Sequence, residues 1–200
     1  MSSTFRANYF LAIRINNENL LRNIEVFQDH QIVVDENLKK FCESSVKAHV
    51  TLNVLQLDST DDITKCIKLL NENLIVEEKS ECKLKFKGVG KFGKKIIYAK
   101  PIKDEGEEIL QSLFSNIKRI LDEGGIKVEN KKQYNPHITM FKVPRRKNYD
   151  VEYNTDHFEN FVFGEETVSE ILLLPMNEKR DEKGFYLKKA SFPLHQKKRE

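Results

Sequence analysis

Two short runs hold the residues on which chemistry could be built. "AHVTL" contains His49 and Thr51, and "PHITM" contains His137 and Thr139. Both runs are otherwise apolar, so each reads as a strand that sets an imidazole two positions from a hydroxyl. On a strand, residues i and i+2 project from the same face. His49 and Thr51 therefore face one way, while Val50, Leu52 and Val54 face a core. His137 and Thr139 likewise stand opposite Ile138 and Met140. If the two strands meet across a cleft, two imidazoles and two hydroxyls converge.

That set suits cleavage of a phosphodiester. A neutral histidine can take the proton of the attacking oxygen while a protonated one delivers a proton to the leaving oxygen. Histidine titrates near neutral pH without help. The threonine hydroxyls can donate hydrogen bonds to the non-bridging oxygens, where charge grows in the transition state. One such motif alone would be an ordinary core or edge histidine, and it is the pairing that points to catalysis. A metal site is not expected, because the two histidines lack a third ligand at a useful spacing. No cofactor is expected either. His30, His157 and His195 lie in polar, loop-like sequence and are expected to take no part.

The elements that must hold the two motifs follow from the apolar periodicity. "YFLAIRI" reads as a first strand. Leu20, Leu21, Ile24 and Phe27, then Leu38 and Phe41, recur at helical spacing from Glu18 to about Glu43. "HQIVVDE" interrupts that run, which predicts a helix, a break and a second short helix. "STDDITKCIKLLNENL" is a capped helix opened by Ser59 or Thr60. "CKLKFKGVGKFGKKIIYAKP" is a long hairpin around a glycine-rich turn. "EEILQSLFSNIKRILDEGG" is a helix with a wide apolar stripe that stops at Gly124–Gly125. A short helix is expected around "HFENFVF", and "SEILLLPMN" with "GFYLKKASF" forms a closing hairpin. No linker-like stretch divides the chain, so residues 1–200 read as a single α+β domain of two related lobes with mostly antiparallel sheet.

Composition narrows the class. The 200 residues are 32% charged and 39% hydrophobic, which fits a soluble globular domain. No run approaches the roughly 18 apolar residues of a bilayer span. "MSSTFRANYFLAIRIN" lacks a basic-then-apolar leader, so a cytoplasmic or nuclear protein is expected. Cys42, Cys66 and Cys82 are odd in number and share no CxxC spacing, which disfavours a disulfide framework. The net charge of +3, with clusters at "PRRK" and "QKKRE", is compatible with an anionic substrate.

"AHVTL" together with "PHITM" resembles the two signature motifs of the 2H phosphoesterase superfamily. "YFLAIRI", "FGKKIIYAK", "DEGGIKVEN" ahead of "NPHITMFKV", then "FGEE" and "GFYLKKAS", are similar to the branch represented by the central domain of A-kinase-anchoring protein 7. The similarity runs from about Tyr9 to Phe192. It implies a bilobal fold in which antiparallel sheets line a central cleft with helices outside. It also implies metal-independent action on phosphodiesters of small RNAs or nucleotides, with catalytic roles for His49, Thr51, His137 and Thr139. Relatives in this branch cleave 2′,5′-linked oligoadenylates, and some domains bind AMP or CMP. A 2′,3′-cyclic nucleotide or RNA-end phosphodiesterase, and a non-catalytic AMP/CMP-binding module, stay open as alternatives. The sequence ends at "FPLHQKKRE" without the amphipathic helix that docks a kinase regulatory subunit, so anchoring is not expected. The expected partner is a short oligonucleotide or nucleotide bound by a monomer. Bases of single-stranded nucleic acids stack on aromatic rings, and Phe92 and Tyr134 are the candidates nearest the motifs. Lys94, Lys95, Arg145 and Arg146 are candidates for flanking phosphates.

Overall fold

The computed structural model describes residues 4–74, 82–130, 133–151 and 158–194. Its strands are β1 (Tyr9–Arg14), β2 (His49–Gln56), β3 (Lys83–Phe92), β4 (Ile96–Pro101), β5 (Lys127–Val128), β6 (Ile138–Lys142), β7 (Val162–Thr167), β8 (Glu170–Pro175) and β9 (Ala190–Pro193). Its α-helices are α1 (Glu18–Val34), α2 (Thr60–Asn73) and α3 (Glu105–Glu123). The strands form one antiparallel sheet in the order β7-β3-β4-β6-β2-β1-β8-β9, with β5 added beside β2. Two four-stranded halves therefore meet where β6 lies against β2. The register at that seam is carried by Val50 opposite Ile138.

The halves repeat one unit. A strand, a long helix and a His-x-Thr strand follow one another as β1-α1-β2 and again as β4-α3-β6, and the first strand of each unit pairs antiparallel with its motif strand. The helices cross over. α1 leaves β1 but packs against β7 and β6 of the other half, while α3 leaves β4 and packs against β2. Glu166 of β7, itself buried, accepts the backbone amides of Asn16 and Asn17 at 2.6 and 2.8 Å. A carboxylate there offsets the positive end of the helix dipole and satisfies donors that the first helical turn leaves open.

Local sequence accounts for the helix ends. Ser59 and Asp62 form a reciprocal capping box at the start of α2, and Asp104 caps α3. Gly125, at φ +73°, takes the left-handed turn after α3. The break expected within "HQIVVDE" is present but late in that run, because α1 continues to Val34 before it stops. Its buried stripe runs Leu20, Ile24, Phe27, Gln28 and Gln31, so a glutamine fills a core-facing position and masks the periodicity. The break falls at Asp35, which caps a 3-10 turn at Glu36–Phe41. His30 therefore sits on a helix, with its ring 5.1 Å from that of Phe158. The helix expected around "HFENFVF" is also corrected. Phe158 to Asn160 turn, and Val162 opens β7, which pairs with β3. His157 and His195 lie outside the described residues.

Candidate active site

Both motif strands bulge directly after their threonine. Ala12 pairs with Thr51 but Phe10 pairs with Val54, so β2 holds one residue more than β1 over that interval. Tyr98 pairs with Thr139 and Ile97 with Phe141, leaving Met140 as the extra residue in β6. Bulges bend a strand and re-aim its side chains. The β2 bulge reverses the expected alternation. Asn53 is buried, and Val54 packs with the Phe10 cluster on the same side as the motif instead of facing the main core. The displaced backbone is held by buried side chains. Gln28 donates to the Met140 carbonyl at 2.9 Å, and the Tyr134 hydroxyl donates to the Thr51 carbonyl at 3.0 Å.

The antiparallel register brings the motifs together. Extending the Val50–Ile138 pair by one residue each way sets His49 across from Thr139 and Thr51 across from His137. Ile13, Val50, Ile138 and Ala99 form the row between these pairs and are buried in the main core. On the opposite face, one row of the sheet reads Gly90, Tyr98, Thr139, His49, Arg14. The next contains His137, Thr51, Ala12 and Leu172.

Each imidazole is oriented by a main-chain carbonyl. His49 Nδ1 lies 2.6 Å from the Lys47 oxygen and His137 Nδ1 lies 2.8 Å from the Asn135 oxygen. A carbonyl only accepts, so both Nδ1 atoms carry hydrogen, and in the neutral ring Nε2 is the nitrogen that bears the lone pair. The ring of His49 is wedged between Phe10 (5.2 Å) and Tyr186 (5.6 Å). The ring of His137 meets the edge of Phe92 (4.8 Å) and tilts against Tyr98 (5.2 Å). Burial pushes the His49 imidazole down to about 4. The charges of His137, Lys142 and Arg180 add to this, while the bond to Lys47 opposes it. His49 is consequently neutral around pH 7.

The remaining candidates separate. Phe92 stacks on Tyr98 with ring centroids 4.3 Å apart, beside His137. Tyr134 is only 6% exposed and stacks on Phe114 at 4.4 Å, so the structure moves it from a surface for bases to a support beneath Thr51. Lys94 pairs with Asp150, and Lys95 donates to the Lys147 and Tyr149 carbonyls. These bonds pin the loop after β6. Arg145 and Arg146 are exposed on that loop. Sequence reasoning passed over Phe10, Arg14, Tyr98, Arg180 and Tyr186. A signal existed for two of them: Arg14 is a charge at the end of an apolar strand, and Tyr98 alternates with Ile97 and Ala99. Arg180 and Tyr186 belong to a loop over residues 176–189, where the expected strand "GFYLKKASF" shortens to its last residues in β9.

Among the described residues, no group of three His, Cys, Asp or Glu side chains is placed to hold a metal ion. None of their helices is long and apolar enough to cross a membrane.

Residues 7–194 match the family described as the AKAP7 2'5' RNA ligase-like domain. The chain belongs to that family. Human A-kinase anchor protein 7 isoform gamma is 31% identical over 204 aligned positions, which cover 96% of this chain and 59% of the relative. The chain thus spans about three-fifths of that protein's length. A crystal structure of a phosphoesterase superposes with a TM-score of 0.71 at 16% identity, covering 96% of this chain and 100% of the other. Escherichia coli LigT complexed with 3'-AMP superposes with a TM-score of 0.67, also at 16% identity, covering 95% and 99%. The bilobal α+β architecture of this AKAP7-type domain is that of the 2H phosphoesterases.

Proposed function

We propose that the domain is a metal-independent phosphodiesterase that cleaves 2′,5′-linked oligoadenylates. The observation that carries this reading is the pairing of Val50 with Ile138 at the seam between the lobes, a register that, extended by one residue each way, sets each histidine across from the other motif's threonine. His49, held neutral by burial, takes the proton of the attacking oxygen through Nε2. His137 gives a proton to the leaving oxygen and ends the step neutral while His49 ends it protonated, and proton exchange with solvent restores both before the next turnover. Thr51 and Thr139 donate hydrogen bonds to the non-bridging oxygens as negative charge builds on them. Phe92, adjoining His137, offers a ring face to a base. The nucleotide carried by LigT in its complex with 3'-AMP supports a nucleotide-sized ligand for this fold.

Fixed catalytic groups are expected to prefer one linkage over the other, and the choice of 2′,5′ rests on the likeness to the AKAP7 2'5' RNA ligase-like family. A 2′,5′ bond leaves a 3′-hydroxyl beside the phosphate, where a 3′,5′ bond leaves the 2′-hydroxyl. Four fixed groups favour one arrangement, since a displacement of about 1 Å can cost about a hundredfold in rate. Purified protein incubated in EDTA with 2′,5′- and 3′,5′-triadenylate is expected to cut the first at least about tenfold faster. Equal rates would remove the oligoadenylate assignment and keep a general phosphodiesterase. Loss of activity in EDTA with recovery on zinc or magnesium would overturn metal independence. Tight AMP binding with no cleavage would favour the binding-module alternative.

A further inference from the structure

We infer that Arg14 and Arg180 form a second phosphate subsite on the His49 side of the β2–β6 seam, taking a phosphate of the substrate other than the one being cleaved. The inference rests on the reading of the seam as a phosphodiester site. Arg14 ends β1 directly across from His49. It therefore stands one strand beyond β2, on the side away from β6. The reacting phosphate belongs between the two histidines, at the β2–β6 seam, so Arg14 lies outside its place.

Both guanidinium groups are held by aromatic rings. The Arg14 Cζ atom lies 4.1 Å from the centroid of Phe185, and the Arg180 Cζ atom lies 3.8 Å from that of Tyr186. The two rings are consecutive in sequence, with centroids 5.5 Å apart, and Tyr186 in turn touches His49. Stacking fixes a guanidinium plane and leaves its N–H edge for a ligand. Among the described residues, no protein acceptor meets that edge in either arginine. Arg14 Nε and Arg180 Nη1 are both buried without a hydrogen-bond partner. The carboxylate next to Arg180 is used elsewhere, because Asp181 Oδ1 accepts the amides of Lys183 and Phe185 and so builds the turn. Glu43, whose charge reaches Tyr186, forms no ion pair with either arginine among the described residues. Buried, unpaired donors on a charged group are costly, and an anion bound there would satisfy them. Phosphate oxygens match the planar fork of a guanidinium.

The sheet face that carries the two histidines therefore differs at its two ends. Phe92 and Tyr98 close the β3–β4 end with aromatic surface, and two guanidinium groups close the β1 end. A ligand laid across the strands would place a nucleoside at the first and a free phosphate at the second. The substrate class is an oligonucleotide that carries a terminal phosphate.

The test compares 2′,5′-triadenylate with hydroxyl ends against the same molecule phosphorylated at its 5′ end, and separately at its 2′ end. Kd is measured by calorimetry on His137→Gln protein, and kcat and KM on otherwise wild-type protein. Each is repeated with Arg14→Gln, Arg180→Gln and both together. One phosphorylated form is expected to bind about tenfold more tightly or better than the hydroxyl form, the scale of a hydrogen bond to a charged group. In the double variant that advantage should fall to about twofold or less, with the Kd of the hydroxyl form changing far less than that of the phosphorylated form. Should Arg14→Gln melt early, Arg14→Lys serves in its place, since it keeps the charge but loses the stacked fork. No phosphate preference, or a preference that survives the double variant, overturns the subsite. An arginine-dependent preference without cleavage would uphold the subsite while removing the phosphodiesterase reading.

Discussion

Replacing His49 with glutamine should change how stability depends on pH, and the size of the change follows from the burial of the ring. A free imidazole titrates at 6.5, and burial pushes His49 down to about 4. The folded state therefore holds fewer protons than the unfolded chain between those values. By linkage, the group's contribution is fully present above pH 6.5 and is lost as pH falls through 4. A difference of 2.5 between 6.5 and 4, at 1.36 kcal/mol per unit, gives a loss of about 3 kcal/mol by pH 4. His49→Gln removes the titration while other groups stay common to both proteins. Urea unfolding from pH 7.5 to pH 4 should show the wild type losing about 2–3 kcal/mol more than the variant. Proton NMR of the His49 ring would follow the same group directly. A stability difference that stays flat across this range, with a ring titrating near 6.5, would refute the buried neutral imidazole and the base role built on it.

Three other outcomes follow from the same geometry. His49→Gln and His137→Gln should each lower kcat about 10²–10⁴-fold at pH 7 in steady-state assays, the usual size of acid–base catalysis. Retention of full activity by either would remove it from the mechanism. Tyr134→Phe keeps the stack on Phe114 but removes the hydroxyl bond to Thr51. Thermal melts should show a loss of about 1 kcal/mol, or about 2–4 °C, with kcat falling more than KM changes. Phe92→Ala should weaken substrate binding by about 1–3 kcal/mol, read as a higher KM; an unchanged KM would return Phe92 to packing against Tyr98.

The sequence exposed those parts of the fold whose pattern is local. His49–Thr51 and His137–Thr139 were legible because an imidazole and a hydroxyl interrupt apolar strands at a two-residue period. The capped ends of α2 and α3 were legible because Ser59, Asp104 and Gly125 act within a few residues of themselves. Gln31 concealed the last turn of α1, since a buried glutamine looks polar whatever it packs against. The bulges were hidden for a different reason. They are defined by what Thr51 and Thr139 face across the sheet, and no pattern along one strand records that. β7 was hidden likewise, because its pairing with β3 joins Lys83 to Thr167. Arg180 and Tyr186 reach the His49 side on a charged loop whose sequence does not distinguish it from any other surface turn.

The place of β1 has a consequence for how the chain is made. It lies between β2 and β8, and its second neighbour, Glu170–Pro175, is translated near the far end of the described chain. At roughly 5–20 residues per second, the ribosome needs roughly 10–30 s to add the residues that separate the two strands. Until then Phe10 and Ala12 lack the Leu172 and Leu174 that cover them, and one edge of β1 is open to any chain that can pair with it. A nascent or truncated polypeptide stopping before Glu170 would offer this strand to chaperones or to aggregation while already containing both histidines. The sheet face that carries the two histidines is thus completed only after β8 has been made.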